Sequence, residues 1–330
     1  MDYVPLPRGA DAFQQPPTAS EIVAVVRRLL GEDVRLTAAH EIGGGAFNNA
    51  FLLTAADARR WVLRVSPPAD HPHLFSVEHH LLRREHSLTP WLANIFPWLP
   101  RVVGVDFTGQ TFPRDAVLSD YIDGENWDAA MDRLSRADND ALWRELAGLL
   151  HRVHATPAPH FGWTHPAPAH ARWSDFVLGG ARGLRDDCVR LGLASDEVRA
   201  WLETAETGAA ALDQITTPRV LHGDPWPKNV LIRQEEGRWR IAALIDHERG
   251  LFGDPWQEWV FHGCDFPPVF WEAFGARPTD PAARFRAAIY RGMIDIQCLL
   301  EVVRYHSDDS GVRPRLLAGI DEMRRLNAGF

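Results

Sequence analysis

The octapeptide His222-Gly223-Asp224-Pro225-Trp226-Pro227-Lys228-Asn229 lies between two apolar runs, Val220-Leu221 and Val230-Leu231-Ile232. A second acidic motif, Ile245-Asp246-His247-Glu248, ends a third apolar run, Ile241 to Ile245. Short apolar runs bounded by Gly, Pro and charged residues read as buried strands with loops at their ends. One loop therefore carries a carboxylate, Asp224, and a carboxamide, Asn229, five residues apart. A second carboxylate, Asp246, stands at a strand end seventeen residues further on.

Outward from this region the hydrophobic period separates two kinds of structure. On the N-terminal side, after a start from Met1 to Pro17 read as mobile, Ala19 to Leu30 has helical spacing, with Ser20 as its expected N-cap. Val34 to Ile42, Phe47 to Thr54 and Arg60 to Val65 alternate like antiparallel strands, the first pair joined across Gly43-Gly44-Gly45. Ser76 to Leu92 is expected as one helix capped by Ser76, followed by strands at Arg101 to Phe107 and Ala116 to Tyr121. From Trp127 the chain reads as mainly helical: Arg136 to His154, Trp173 to Leu191, Ser195 to Leu212, Phe285 to Tyr305 and Arg313 to Leu326. The expectation is an α+β protein of two lobes, 1–118 with a small antiparallel sheet plus one helix, and 119–330 larger and mainly helical.

The chain has 330 residues, of which 45% are hydrophobic and 24% charged, enough for two packed lobes. Its net charge of −9 argues against nucleic acid as the main partner, since that binding needs clustered Lys and Arg. All but one unit of the negative excess falls in residues 119–330, which would favour a cationic ligand there. No apolar run of about 18 residues suggests a membrane span, and the polar, Pro-rich start lacks the layout of a signal peptide. Cys188, Cys264 and Cys298 are odd in number and widely spaced. A reducing, cytoplasmic setting is expected. His71, His73, His79 and His80 have no spacing that sets three metal ligands on one helix face.

Phosphoryl transfer asks a protein for a group that accepts a hydroxyl proton, for metal ligands, and for positive charge on the nucleotide. Asp224 and Asn229 have the spacing of a base and a metal ligand in such a loop, and Asp246 suits a second ligand, because Mg²⁺ prefers oxygen donors. His222-Gly223-Asp224 with Asn229, Ile245-Asp246-His247-Glu248-Arg249 and Gly253-Asp254-Pro255-Trp256 together resemble the aminoglycoside phosphotransferase and choline kinase group of small-molecule kinases, over roughly residues 36–300.

The resemblance implies a protein-kinase-like fold, with Asp224 as catalytic base, Asn229 and Asp246 on Mg²⁺, and ATP or GTP as co-substrate. It puts Glu248 near the metal or the substrate, with His222 and Asp254 supporting the catalytic loop. Gly43, Gly44 and Gly45 correspond to the nucleotide-covering loop, and the strand around Ser119 and Tyr121 to the hinge beside the base. Arg64 takes the place often held by lysine, the only lysine of this chain being Lys228. Its partner is expected on the Ser76–Leu92 helix, where Glu78 and Glu85 lie about 20° apart around an ideal helix; the family's spacing favours Glu85 and leaves Glu78 open. Glu258, Asp265 and Glu272 fall where antibiotic kinases hold substrate amino groups, and Trp226, Trp256, Trp259 and Trp271 could wall a cleft.

The reading is a monomeric or homodimeric O-phosphotransferase acting on a hydroxylated small molecule, an aminoglycoside-like antibiotic. A housekeeping kinase for a sugar, amino alcohol or nucleoside is the alternative, and a silent kinase-like binding module the third.

Overall fold

The structure is a computed structural model and describes residues 1–9, 12–95, 99–166, 169–308 and 311–327. Its first strand, β1 (Asp2–Val4), falls in the segment expected to be mobile. It pairs in parallel with β2 (Leu36–Glu41), so the start of the chain is tied into a sheet. Between them, α1 (Ala19–Leu30) is capped by Thr18 rather than Ser20: the Thr18 hydroxyl accepts from Glu21 N at 3.2 Å, and Glu21 accepts in return from Thr18 N at 2.6 Å. This reciprocal capping box satisfies two backbone donors that the helix start would otherwise leave open.

The sheet continues through β3 (Asn49–Ala55) and β4 (Arg60–Val65). A 3₁₀ turn, Ser76–Glu78, comes next. The expected single helix is broken here, because His80 takes a left-handed conformation (φ 64°) and starts α2 (Leu81–Ala93). Strands β5 (Val102–Asp106) and β6 (Ala116–Asp120) complete six strands in the order β1-β2-β3-β4-β6-β5, all antiparallel neighbours except β1 and β2. The N-terminal part thus has a parallel edge strand and two helices. Alternation along β4 sends Trp61, Leu63 and Val65 into a core with Ile22, Val25 and Val26 of α1, and leaves Val62 and Arg64 on the opposite face. β6 runs to Asp120, two residues past the lobe boundary expected at 118/119.

Residues 121–124 lead to β7 (Glu125–Asn126), α3 (Trp127–Ala130) and α4 (Arg136–Ala155). Then follow α5 (Trp173–Arg190), α6 (Asp196–Thr207) and α7 (Ala209–Leu212), the expected Ser195–Leu212 helix being interrupted at Gly208. Next come β8 (Arg219–Leu221), β9 (Val230–Glu235), β10 (Arg238–Leu244) and β11 (Leu251–Gly253), which form two small antiparallel sheets, β10-β9-β7 and β11-β8. The chain closes with α8 (Val260–Gly263), α9 (Pro268–Phe274), α10 (Pro281–Tyr305) and α11 (Val312–Asn327). One core joins α5, α6, α10 and α11; a second joins α4 and α9 to β8–β10. No helix among the described residues is long and apolar enough to cross a membrane.

A buried ion pair fastens the sheet-bearing part to the last long helices. Glu78 has no exposed side-chain surface, and both its oxygens accept from the Arg304 guanidinium of α10. Arg304 also donates to His73 O and lies over the Phe13 and Phe75 rings, 4.1 and 3.9 Å from their centroids. Removing one partner of a buried pair leaves an uncompensated charge, whereas removing both need not. Glu78→Ala is therefore expected to cost about 3–5 kcal/mol in denaturant unfolding, and Glu78→Leu combined with Arg304→Met to recover part of it, since Arg249, 3.7 Å from Glu78, still loses a partner. A double variant no more stable than the single one would contradict the pairing.

Candidate active site

The loop from His222 to Trp226 leaves β8 and reaches β9 through the 3₁₀ turn Pro227–Asn229. Its two leading N–H groups converge on one carboxylate: His222 N donates to Glu258 Oε1 at 2.9 Å and Gly223 N to Glu258 Oε2 at 2.7 Å. The His154 ring of α4 lies 3.0 Å from the same Oε1. Gly223 has φ +95°, and a Cβ there would fall 2.5 Å from Arg249 O and from Gly250 N. Only glycine permits both the conformation and the approach. Asp224 N in turn donates to His222 Nδ1 at 3.3 Å. Burial, with His247 nearby, pushes the His222 imidazole down to about 3, so it stays neutral and serves as an acceptor in the loop.

The Asn229 amide donates to Asp224 Oδ2 at 2.8 Å and to Asp224 O at 2.9 Å, leaving its own carbonyl oxygen for another ligand. Asp224 Oδ1 is buried with no hydrogen-bond partner among the described residues. Burial and the nearby Asp246 charge push the Asp224 carboxyl up to about 7. Ile245 N donates to Asn229 O at 2.9 Å and links the two acidic motifs, after which Asp246 turns through a left-handed conformation (φ 64°).

Arg64 enters from the free face of β4. Its guanidinium donates to Glu85 of α2 and lies 3.8 Å from Asp246 Oδ1. Glu85 is thus the Arg64 partner, Glu78 being engaged by Arg304. Oxygens of Glu85, Asp246 and Glu248 lie within 4.8 Å of one another. Burial raises the carboxyls of Asp246 and Glu248; Glu85 adds to the rise at both, and Asp246 adds to that at Glu248. The His247 ring lies against α2, its Nδ1 3.7 Å from Glu85 Oε1 and its Nε2 3.0 Å from Thr89 Oγ1.

The exposed Gly43, Gly44 and Gly45 join β2 to β3. At the far end of this hairpin, Asn48 donates to Glu248 and bridges it to the second acidic motif. Gln14 Nε2 donates to Gly45 O at 3.1 Å and Asn48 O at 2.8 Å, and Tyr305 of α10 donates to Ala46 O at 2.9 Å. Ser119 is buried between β4 and β5, and the half-buried Tyr121 ring lies under the Arg60 guanidinium at 4.3 Å.

The phosphotransferase enzyme family model, APH, matches residues 38–290. The chain belongs to this family. As a phosphotransferase of the family it shares its fold with aminoglycoside kinases of known structure. A thermostable mutant of aminoglycoside phosphotransferase APH(4)-Ia, in a ternary complex with AMP-PNP and hygromycin B, is 18% identical with a TM-score of 0.62, covering 91% of this chain and 98% of its own. The GDP and kanamycin complex of APH(2")-IIIa is 16% identical, TM-score 0.58, covering 93% and 98%. A putative aminoglycoside phosphotransferase from Ralstonia eutropha JMP134 is 14% identical, TM-score 0.59, covering 93% and 98%. No curated protein matches the chain.

Within this phosphotransferase, two expected site residues, Glu258 and Asp254, have other partners than expected. Glu258 is fully buried beneath the loop from His222 to Asn229 and cannot meet a substrate. Asp254 does not touch that loop through its side chain: it accepts from Trp256 N at 3.1 Å, Arg286 Nε at 3.1 Å and Tyr290 Oη at 2.9 Å, anchoring the turn after β11 to α10. Glu272 is exposed on the short α9, as is Asp265 just before that helix. Lys228 is exposed too, its Nζ 4.7 Å from the Trp226 ring centroid. The loop's true holder, Glu258, shows no local signal in the sequence, since its partners lie 35, 36 and 104 residues away. Glu258→Gln would turn an NH₂ group toward a backbone N–H. It is expected to cost about 1–3 kcal/mol, read as a lower denaturation midpoint; an unchanged midpoint would contradict the loop-holding role.

Proposed function

We propose that this phosphotransferase moves the γ-phosphoryl group of ATP or GTP to a hydroxyl of a small molecule, with Asp224 as the base. The observation that carries the reading is the meeting of Arg64, Glu85, Asp246 and Glu248 beside an Asp224 that Asn229 holds in place. The nucleotide complexes of two similar structures add support. In the reaction, the acceptor oxygen bonds to the γ-phosphorus and the bond from that phosphorus to the β–γ bridging oxygen breaks. The nucleoside diphosphate leaves with the electron pair, and the hydroxyl proton passes to Asp224.

The residues present suit Mg²⁺. Their donors are carboxylate and carboxamide oxygens, as a hard cation prefers, and Glu85 Oε2 is buried without a hydrogen-bond partner among the described residues. Asn229 and Asp246 are the proposed ligands, with Glu248 adjoining. When bound, the ion supplies positive charge against the phosphate oxygens. Arg64 adds a fixed cation on the nucleotide side, held at its root by Glu85. The hairpin of Gly43, Gly44 and Gly45 offers backbone N–H groups without side chains in the way, and the strand end at Ser119 and Tyr121 borders the base.

Asp224→Asn keeps the shape of the site and removes the proton acceptor. Turnover of Mg²⁺-nucleotide with an acceptor is expected to fall about a hundred- to ten-thousand-fold with nucleotide affinity retained in calorimetry. Equal turnover by variant and wild type would overturn the assignment. Chelation of divalent ions with EDTA is expected to abolish transfer, and added Mg²⁺ to restore it; transfer indifferent to EDTA would remove the metal from the reading.

A further inference from the structure

Beside Gly223 the catalytic loop borders a cavity of about 260 Å³. Its two long walls are helix faces. From α5 come Phe176, Gly179, Gly180 and Gly183, and from α10 come Tyr290, Met293, Ile294 and Gln297. Both sets follow the i, i+3, i+4, i+7 spacing of a single helix face. Glycines in a helix interior cost stability relative to alanine, and here they hollow out one wall. A Cβ at Gly179 would meet nothing within 4 Å, and one at Gly180 would come within 3.2 Å of the flexible end of Met293. Trp163 and Trp259 add aromatic surface.

The charge of the lining is as informative as its shape. Among the described residues that border the cavity there is no Asp or Glu, and the ionisable ones are His170, Tyr290 and Arg249. Asp265 and Glu272, the exposed acids expected to hold substrate amino groups, do not line it. Arg249 is itself paired with the buried Glu78, 3.7 Å away, so the lining offers neither an unpaired cation nor a carboxylate for the ammonium groups of a polycation. The polar groups that remain, including the Ser76 hydroxyl and the Gln257 and Gln297 amides, suit hydroxyl or carbonyl oxygens. A cavity of roughly 150 Å³ accepts benzene, so this one has room for one or two rings.

We propose, building on the phosphotransfer reading, that this cavity is the acceptor site and that it takes an uncharged, mainly apolar alcohol of one or two rings rather than a polycation. The hydroxyl reaches past Gly223 to Asp224, and the rings rest between the bare face of α5 and Met293 and Ile294 of α10. The bonds made and broken are those of the transfer to a hydroxyl described above.

Naphthylethanol, a neutral two-ring alcohol, and kanamycin are the probes. Each is titrated calorimetrically into the full chain with Mg²⁺ and AMP-PNP, and each is incubated with Mg²⁺ and ATP while phosphate ester is followed by mass spectrometry. The wild type is expected to bind and phosphorylate naphthylethanol and to do neither with kanamycin. Gly180→Leu fills the cavity and is expected to weaken naphthylethanol binding on the order of tenfold or more; Gly179→Leu, at the mouth, is a second filling variant should the first fail to fold. Cooperative melting and a retained AMP-PNP shift identify a folded variant.

Kanamycin phosphorylated in preference to naphthylethanol would overturn the inference and leave the phosphotransfer reading standing. Failure of naphthylethanol to bind, or binding equally tight in a folded filling variant, would also overturn it. Naphthylethanol that binds, is excluded by the filling variant and yet yields no ester would overturn the assignment of the cavity as the acceptor site, whereas nucleotide turnover unchanged in Asp224→Asn would overturn the phosphotransfer reading.

Discussion

One fully buried carboxylate, that of Glu258, sets the position of the loop from His222 to Asn229. It receives the consecutive N–H groups of His222 and Gly223 and lies beside the His154 ring. Burying a carboxylate is costly unless its oxygens are hydrogen-bonded, and charge-assisted bonds to backbone N–H groups are among the stronger kinds. The contact therefore stabilises the loop only in the geometry that delivers both donors together. Gly223 adds a second restriction, because its left-handed turn leaves no room for a side chain against Arg249 and Gly250. With β8 also paired to β11, little freedom remains for the next residue, Asp224.

What this fixed loop faces is assembled from distant parts of the chain. Alternation along β4 puts Arg64 on the side away from the α1 core; α2 brings Glu85, and the end of the β10 segment brings Asp246 and Glu248. Three carboxylates against the two guanidinium groups of Arg64 and Arg249 leave an excess of negative charge in a partly dry cleft. Burial first, and crowded like charges after it, disfavour the ionised forms, which is the direction seen at Asp246 and Glu248. A divalent cation would relieve that repulsion and, on the proposed reading, that of incoming phosphates as well.

The parts legible in the sequence are those governed by neighbours along the chain. The period of two in β3 and β4, the Asp224–Asn229 spacing and the helical periods of α1, α4 and α10 all follow from local pattern. Contacts that span the chain leave no such trace. The loop-holding Glu258 reads like any acid in a Trp-rich stretch, and the tie of β1 to β2 cannot be inferred from a polar, Pro-rich start. The choice between Glu78 and Glu85 turns on Arg304, some 220 residues away. The break before α2 was missed because helical periodicity ran through His79 and His80, whereas His80 adopts a left-handed turn. Asp254 was legible as structural, but its partners Arg286 and Tyr290 belong to α10, not to the loop.

The largest divergence between composition and structure concerns the acceptor, and it is a matter of range. Net charge acts through the summed field of a surface, which salt screens within about 8 Å at physiological ionic strength. Contact chemistry acts at the wall of a cavity, where solvent is excluded and each group counts for more. The acidic excess of residues 119–330 can raise the local concentration of a cation at the surface, yet it includes Glu258, hidden under the loop, and Asp265 and Glu272, outside the cavity lining. The wall itself presents Arg249 among rings, methyl groups and bare glycines. A charge count over 212 residues therefore describes what drifts toward the protein, whereas on the proposed reading the two helix faces select what enters the cavity beside Gly223.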